Sequence, residues 1–313
     1  MQRFPLCTGP TPLHRLARLG EALGVDLWIK RDDLTGLAFG GNKTRKLEFL
    51  VGDALAQGAD TLVTSGAAQS NHCRQTAAAA ACAGLKCHLA LGGDRSAPRD
   101  GNLRLDLLLG AHVHWCGTAR KGENVARIAE ALRADGDSPY VLPYGGSNAI
   151  GAHGFAQAVA ELHAQTNAPF DAVVFASSSG GTHAGLLAGA ATYDVAARWI
   201  GVRIDKDPNP DGDLRTTIDA LARAITDRPL PALELVEDFL APGYGVVTAL
   251  ERHALHALAR HEGILLDPVY TARAFGGLLA MIEDGRIAPG SRVLFWHTGG
   301  GPALFTGDAS ELL

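Results

Sequence analysis

Val173-Val174-Phe175-Ala176-Ser177-Ser178-Ser179-Gly180-Gly181-Thr182-His183-Ala184-Gly185 decides how this chain folds. An apolar β-branched run enters a Ser/Gly turn and leaves as helix-forming sequence, so strand, tight turn and helix follow one another. The same alternation extends outward from this unit to residue 26 on one side and residue 297 on the other. Strand-like runs fall at 27–30, 61–64, 87–91, 112–115, 140–142, 172–176, 199–203, 233–236 and 293–297. Between them, 43–56, 70–83, 125–134, 153–164, 182–191, 215–224, 246–260 and 271–282 carry helical spacing. Such alternation predicts an α/β protein with a parallel sheet and helices on its faces. The stretches 92–99 and 205–213 read as surface loops within domains.

The turn itself is a candidate phosphate cradle. Glycines let the backbone approach an anion closely, and successive N–H groups with the Ser179 and Thr182 hydroxyls can bond its oxygens. The turn lacks the Gly-Lys-Ser/Thr of a Walker A loop and strict G-x-G-x-x-G spacing, which argues against nucleoside triphosphates and dinucleotides. Taken alone, it fits an ordinary strand-to-helix turn equally well.

Other segments carry chemistry of their own. In Gly40-Gly41-Asn42-Lys43-Thr44-Arg45-Lys46-Leu47-Glu48 a lysine follows a glycine pair at a helix start. Burial there would lower the pKa of Lys43 and leave a free amine near neutral pH, as Schiff-base chemistry requires. A solvated first-turn lysine is the plainer alternative. Ser65-Gly66-Ala67-Ala68-Gln69-Ser70-Asn71-His72 ends a strand and opens a helix. Its N–H groups and helix dipole suit a carboxylate, and Ser70 can cap the helix or present its hydroxyl to a substrate. Near the C-terminus, Tyr270 opens a helix and Thr298 ends a strand, where an open sheet meets its cleft.

Composition narrows the class. The chain has 313 residues, enough for two domains with a cleft between them. A net charge of −5, from interspersed 28 basic and 33 acidic side chains, argues against nucleic acid and anionic membrane as partners, leaving a small molecule. No run of apolar residues is long enough for a membrane span, and the N-terminus lacks the apolar core of a signal peptide. A cytoplasmic protein is therefore expected. The five cysteines form no C-x-x-C pair and read as reduced thiols, mostly in the core, with no metal site expected.

Together these segments resemble the pyridoxal-phosphate enzymes of the tryptophan-synthase-β fold type, in the branch of D-cysteine desulfhydrase and 1-aminocyclopropane-1-carboxylate deaminase. The resemblance covers nearly the whole chain. It includes Gly9-Pro10-Thr11-Pro12-Leu13, Lys30-Arg31-Asp32-Asp33, the lysine segment, Gln69-Ser70-Asn71-His72, Gly145-Gly146-Ser147-Asn148, Gly180-Gly181-Thr182-His183-Ala184-Gly185, Pro242-Gly243-Tyr244-Gly245 and the Tyr270 and Thr298 segments. It implies two open, twisted, mostly parallel sheets flanked by helices, with pyridoxal 5'-phosphate in the cleft. The larger domain would comprise residues 1–45 plus 150–313, and the smaller 46–149. A homodimer is also implied.

By the same resemblance Lys43 would carry the cofactor as a Schiff base, and Lys46 would lie near its phosphate. Asn71 would bond the ring oxygen, Ser179-Gly180-Gly181-Thr182 would hold the phosphate, and Thr298 would face the ring nitrogen. Ser70, with the N–H groups of Asn71 and His72, would hold the substrate carboxylate, while Tyr244 and Tyr270 would line the substrate side. The deaminases carry Glu and Leu where this chain has Thr271 and Thr298, so the desulfhydrase-like choice is expected. That is a carbon–sulfur lyase performing β-elimination on D-cysteine to pyruvate, hydrogen sulfide and ammonia. The alternatives are deamination of 1-aminocyclopropane-1-carboxylate to 2-oxobutanoate, a lyase for a sulfonate such as cysteate with Arg273 as the extra cation, or a ligand sensor without turnover. Arg273, Ser177-Ser178 and Val246-Val247 depart from the pattern of close relatives, the last pair beside the substrate pocket.

Overall fold

The computed structural model describes residues 1–206, 212–240, 243, 245–307 and 312. Its strands are β1 Leu13–Arg15, β2 Asp26–Arg31, β3 Thr61–Ala67, β4 Lys86–Gly92, β5 His112–Trp115, β6 Pro139–Val141, β7 Ala172–Ser177, β8 Arg198–Arg203, β9 Glu234–Val236 and β10 Arg292–His297. Its helices are α1 Ala17–Leu23, α2 Lys43–Ala56, α3 Asn71–Ala83, α4 Gly101–Leu108, α5 Val125–Ala134, α6 Ala149–Gln165, α7 Gly181–Tyr193, α8 Leu214–Arg223, α9 Ala249–Glu262 and α10 Thr271–Glu283.

The strands form two open sheets. One has six strands in the order β1-β2-β10-β7-β8-β9, parallel except for β1 against β2. The other has four parallel strands in the order β5-β4-β3-β6. Strand β7 is buried along its whole length, which is why it reads as an unbroken apolar run rather than an alternating one. Its alternate side chains feed the two faces of the larger sheet: Val174 joins Ile29, Phe275 and Phe295, while Val173 and Phe175 join Phe155, Trp199 and Trp296. Burying an aliphatic or aromatic side chain of this kind contributes about 1.5–3 kcal/mol. The smaller sheet packs Leu62, Leu89 and Leu91 against Leu47, Leu50 and Ala77 of α2 and α3. The expected two-sheet α/β class is what the chain adopts.

Three elements depart from the sequence reading: β1, α1 and α4 were not expected, while the strand and helix runs that were expected all form. Two helices begin elsewhere because a side chain caps them. Asn148 Oδ1 accepts from Gly151 N at 2.8 Å and starts α6 before residue 153. Thr248 and Glu251 form a capping box that starts α9 after residue 246.

Strand order also locates the cleft. From β7 the larger sheet grows to β8 on one side and β10 on the other; from β3 the smaller grows to β4 and β6. Those are switch points, where loops leaving adjacent strand ends diverge and leave a crevice. The loops after β3, β6, β7 and β10 all contribute to one cleft.

Candidate active site

Helix α2 enters the cleft through an unusual stretch of backbone. Ala38, Phe39, Gly40 and Gly41 have φ of 42°, 69°, 66° and 125°. A Cβ on Gly40 would run into the Asp33 carbonyl, and one on Gly41 would lie 2.6 Å from Gln75 Nε2, so the glycine pair is required here. Gly41 N donates to Asp32 O at 3.0 Å and to Thr35 Oγ1 at 2.8 Å. Gln75 Oε1 accepts from Thr44 N at 2.7 Å and so serves the open end of the helix from a distant position in sequence. Asn42 ties this end to the larger sheet, its N–H donating to Thr298 O at 2.9 Å and its Nδ2 to Thr182 Oγ1 at 3.1 Å.

Lys43 is the first residue of α2 and lines the cleft. Its Nζ donates to Gly145 O at 3.2 Å; Lys46, a turn later, donates to the same carbonyl at 3.1 Å and to Ser147 Oγ at 3.2 Å. Neither amine is bonded to a carboxylate among the described residues. Burial without a counter-charge pushes Lys43 down to about 8. Burial and the neighbouring Lys43 charge push Lys46 well below the ordinary lysine range.

Helix α3 presents its N-terminus from the opposite sheet. Ser70 is the N-cap, with φ −72° and ψ 119°, and its Oγ accepts from Cys73 N at 3.2 Å. Asn71 and His72 follow in the first turn, where N–H groups have no intrahelical partner and the dipole favours an anion. Asn71 Oδ1 accepts from Asn102 Nδ2 at 3.0 Å. His72 Nε2 bonds the Thr64 hydroxyl at 3.0 Å, and its Nδ1 has no partner among the described residues. Burial, reinforced by the charges of Lys43 and Lys46, keeps this imidazole neutral.

The turn from β7 into α7 faces it. Ser179 Oγ bonds Ser147 Oγ at 2.8 Å, and Gly181 N donates to Ser147 Oγ at 3.1 Å. Gly180 has φ 87°. A Cβ on Gly181 would come 2.9 Å from Lys46 Nζ, and one on Gly145 would press on Ser179 and lie 3.6 Å from Lys43 Nζ. Missing side chains thus make a cradle beside both amines. His183 lines it with a Nε2 that has no partner among the described residues, and burial pushes its pKa down to about 3. Amines without counter-charges, helix N-termini and unpartnered imidazole nitrogens suit a phosphate-bearing anion with a second, carboxylate-sized anion beside it.

Tyr270 and Thr298 also line the cleft. The Tyr270 N–H donates to Asp267 Oδ2 at 2.9 Å, which fixes the start of α10. Thr271 does not line the cleft; its hydroxyl lies 2.7 Å from Asp267 Oδ1 and its N–H donates to the same oxygen. Arg273 is not the extra cation for a sulfonate: it is buried, paired with Glu251 at 2.6 Å and donating to the carbonyls of Ile204 and Val246. Tyr244 lies outside the described residues. The cysteines are free, but only Cys73 and Cys87 are buried, Cys7 and Cys116 being partly exposed and Cys82 exposed, which corrects the expectation that most lie in the core.

The structure thus gathers Lys43, Ser70, Asn71, His72, Ser179, Gly180, Thr182, Tyr270 and Thr298 on one cleft wall or another, with Lys46 and Gly181 directly behind. Ser147, Asn42 and His183 were missed as individual site residues. The Gly145-Gly146-Ser147-Asn148 motif was the available signal for Ser147; no local pattern marks Asn42.

Comparison with known proteins agrees. The profile of the family described as "Pyridoxal-phosphate dependent enzyme" matches residues 5–299. A protein of Yersinia pestis (strain Pestoides F) named D-cysteine desulfhydrase is 45% identical, over 97% of this chain and 95% of the relative. One of the same name from Klebsiella pneumoniae (strain 342) is 43% identical over 97% of each. Among solved structures, one titled as an ACC deaminase homologue superposes with a TM-score of 0.90 at 36% identity, covering 97% of this chain and 93% of that one. A cleft built for a phosphate between two such sheets, and a family match across nearly the whole chain, lead to one conclusion: the chain belongs to the pyridoxal-phosphate dependent enzymes, with pyridoxal phosphate as its cofactor.

Proposed function

We propose that this enzyme is a carbon–sulfur lyase that converts D-cysteine and water to pyruvate, ammonia and hydrogen sulfide. One observation carries the reading: Lys43, with its pKa brought to about 8 by burial, shares a cleft with the N-termini of α3 and α7. An amine, a carboxylate site and a phosphate site in one cleft are what an amino-acid lyase of this family needs. The relatives named D-cysteine desulfhydrase favour this substrate over others.

In this reading pyridoxal phosphate, when bound, supplies an electron sink for negative charge at the substrate Cα. Lys43 would hold it covalently, and Lys46 with Ser179, Gly180, Gly181 and Thr182 would hold its phosphate. Asn71 Nδ2 and the Thr298 hydroxyl would face the ring oxygen and ring nitrogen. Ser70 and the N–H groups of Asn71 and His72 would orient the substrate carboxylate, which places Cα within reach of the Lys43 amine. A lysine near pKa 8 can take the Cα proton at neutral pH and later return one, assistance worth roughly 10²–10⁴-fold. The thiolate then leaves Cβ and departs as hydrogen sulfide. Tyr270, with Tyr244, would line the substrate side, and closure of the cleft would exclude water until sulfide has left.

The proposal includes the division of the chain into residues 1–45 plus 150–313 and residues 46–149, a cytoplasmic location, and a homodimer. Exposed Phe39, Leu265 and Phe305 line one groove that such a dimer would cover. Among the described residues no helix is long and apolar enough to cross a membrane.

Assays of sulfide and keto acid with D-cysteine, L-cysteine and 1-aminocyclopropane-1-carboxylate test the substrate. Sulfide and pyruvate from D-cysteine alone are expected. Keto acid from the cyclopropane substrate alone would replace this reading with the deaminase one, in line with the ACC deaminase homologue structure.

A further inference from the structure

Arg74 and Asn102 lie outside the cleft lining yet contact two of its working parts. Arg74 is wholly buried on α3, one turn below Asn71. Its Nε donates to Asn102 Oδ1 at 2.6 Å, its Nη2 to Gly40 O at 3.2 Å, and its Nη1 to Ala38 O. Asn102 Nδ2 donates onward to Gln69 O and to Asn71 Oδ1, each at 3.0 Å. We infer that Arg74 and Asn102 are positioning residues that fix the Asn71 amide with its N–H side toward the cofactor and hold the backbone leading into Lys43.

The direction of the chain follows from donor chemistry. A guanidinium can only donate, so Asn102 must turn its oxygen to Arg74. Its amide hydrogens then face Asn71, whose oxygen is thereby occupied. What remains for the cleft is Asn71 Nδ2, a donor. A donor at that place favours an anionic oxygen over a protonated one on whatever ring binds there. Burial lowers the Arg74 pKa only to about 10, so it remains a cation at neutral pH and the orientation is not lost by titration.

Ala38 and Phe39 are non-glycine residues at positive φ, a conformation strained for any side chain with a Cβ. Two of the carbonyls in that stretch accept from Arg74. The residue that orients Asn71 therefore also holds the loop that delivers Lys43, and ring and amine are registered against each other by one side chain.

This inference rests on the proposed cofactor roles of Asn71 and Lys43, and its test uses no amino-acid substrate, so it can fail or succeed apart from the D-cysteine reading. Asn102→Asp keeps an acceptor for Arg74 but has no hydrogen for Asn71, which should turn its oxygen into the cleft. For the holoenzyme we expect the visible cofactor band to titrate at a shifted pH and cofactor dissociation to rise roughly tenfold, the size of one lost hydrogen bond. In the Asn71→Ala background the same substitution should add nothing. An unshifted titration, or effects that add fully in the double variant, would overturn the inference. Asn102→Ala gives the same comparison if Asn102→Asp does not fold.

Discussion

Helix α2 carries buried cations on two faces, and the two are treated in opposite ways. On one face Arg45 forms a bidentate pair with Asp32, at 2.7 and 2.8 Å, and bonds Glu161 at 3.0 Å. Trp296 Nε1, at 2.8 Å, and Thr11 Oγ1, at 2.9 Å, complete the satisfaction of Asp32. Lys30 reaches Glu161, Gln165 and the Thr11 carbonyl from the sheet side. Burial alone would lower the Arg45 pKa, but Asp32 and Glu161 raise it well above the ordinary value. Burial alone would raise Glu161, but Arg45 and Lys30 hold it down at about 2. On the other face Lys43 and Lys46 have no such partners among the described residues, and both are pushed down. A compensated charge reports structure; an uncompensated one, in a cleft, reports a ligand still to come.

Substitutions on the two faces should separate along that line. Lys43→Ala should reduce turnover by at least the roughly 10²–10⁴-fold of general acid/base assistance and remove the visible cofactor band, with little change in folding. Turnover retained without the band would break the assignment. Glu161→Ala should instead leave Arg45 and Lys30 partly unpaired at a cost of about 3–5 kcal/mol, read by denaturant unfolding. Lys46→Met sharpens the contrast, since it removes a charge the cofactor-free fold does not compensate. It should raise the melting temperature of the cofactor-free protein, by roughly 2–4 °C for each kcal/mol gained, while weakening cofactor binding in a titration. Arg45→Met should lower it.

The smallest effects are in pH. Lys43 has a folded pKa of about 8, against about 10.4 unfolded. Above about pH 8 the folded state has released a proton that the unfolded chain still holds, so the stability of the cofactor-free protein should rise with pH until both forms are neutral. Glu161 gives the same slope, stability rising with pH, but in the acid range and through a stabilising ion pair rather than an uncompensated charge. Its folded pKa of about 2 lies below an unfolded value near 4.3, so its contribution is complete above that value and disappears as pH falls toward 2. Urea midpoints across pH read both limbs, and Lys43→Ala should flatten only the alkaline one.

How much of this was legible in the sequence depends on distance along the chain. Helices α2 and α5 and strand β5 fall at the expected residues because each has a clear period and a local boundary. Ser70 as a cap and the turn at Ser179 and Gly180 were legible for the same reason. Helices α1 and α4 span only 7 and 8 residues, too short for a period to declare itself. Strand β1 has 3 residues and exists through its antiparallel pairing with β2. Gln75 capping α2, Ser147 between Lys46 and Ser179, and Glu161 closing on Arg45 are contacts through space between distant segments. The motifs Thr11 and Asp32 stood out in the sequence, but their partners show them to be scaffolding for Arg45.

The pairing of β2 with β10 sets an order on synthesis. Phe295 lies opposite Ile29, so β2 waits for β10 to be made before the larger sheet can close. The β3 to β6 sheet is continuous between Thr61 and Val141 and can assemble on the ribosome with what has already emerged. Until then β2 has β1 on one edge only, and its other edge stays open to non-native pairing.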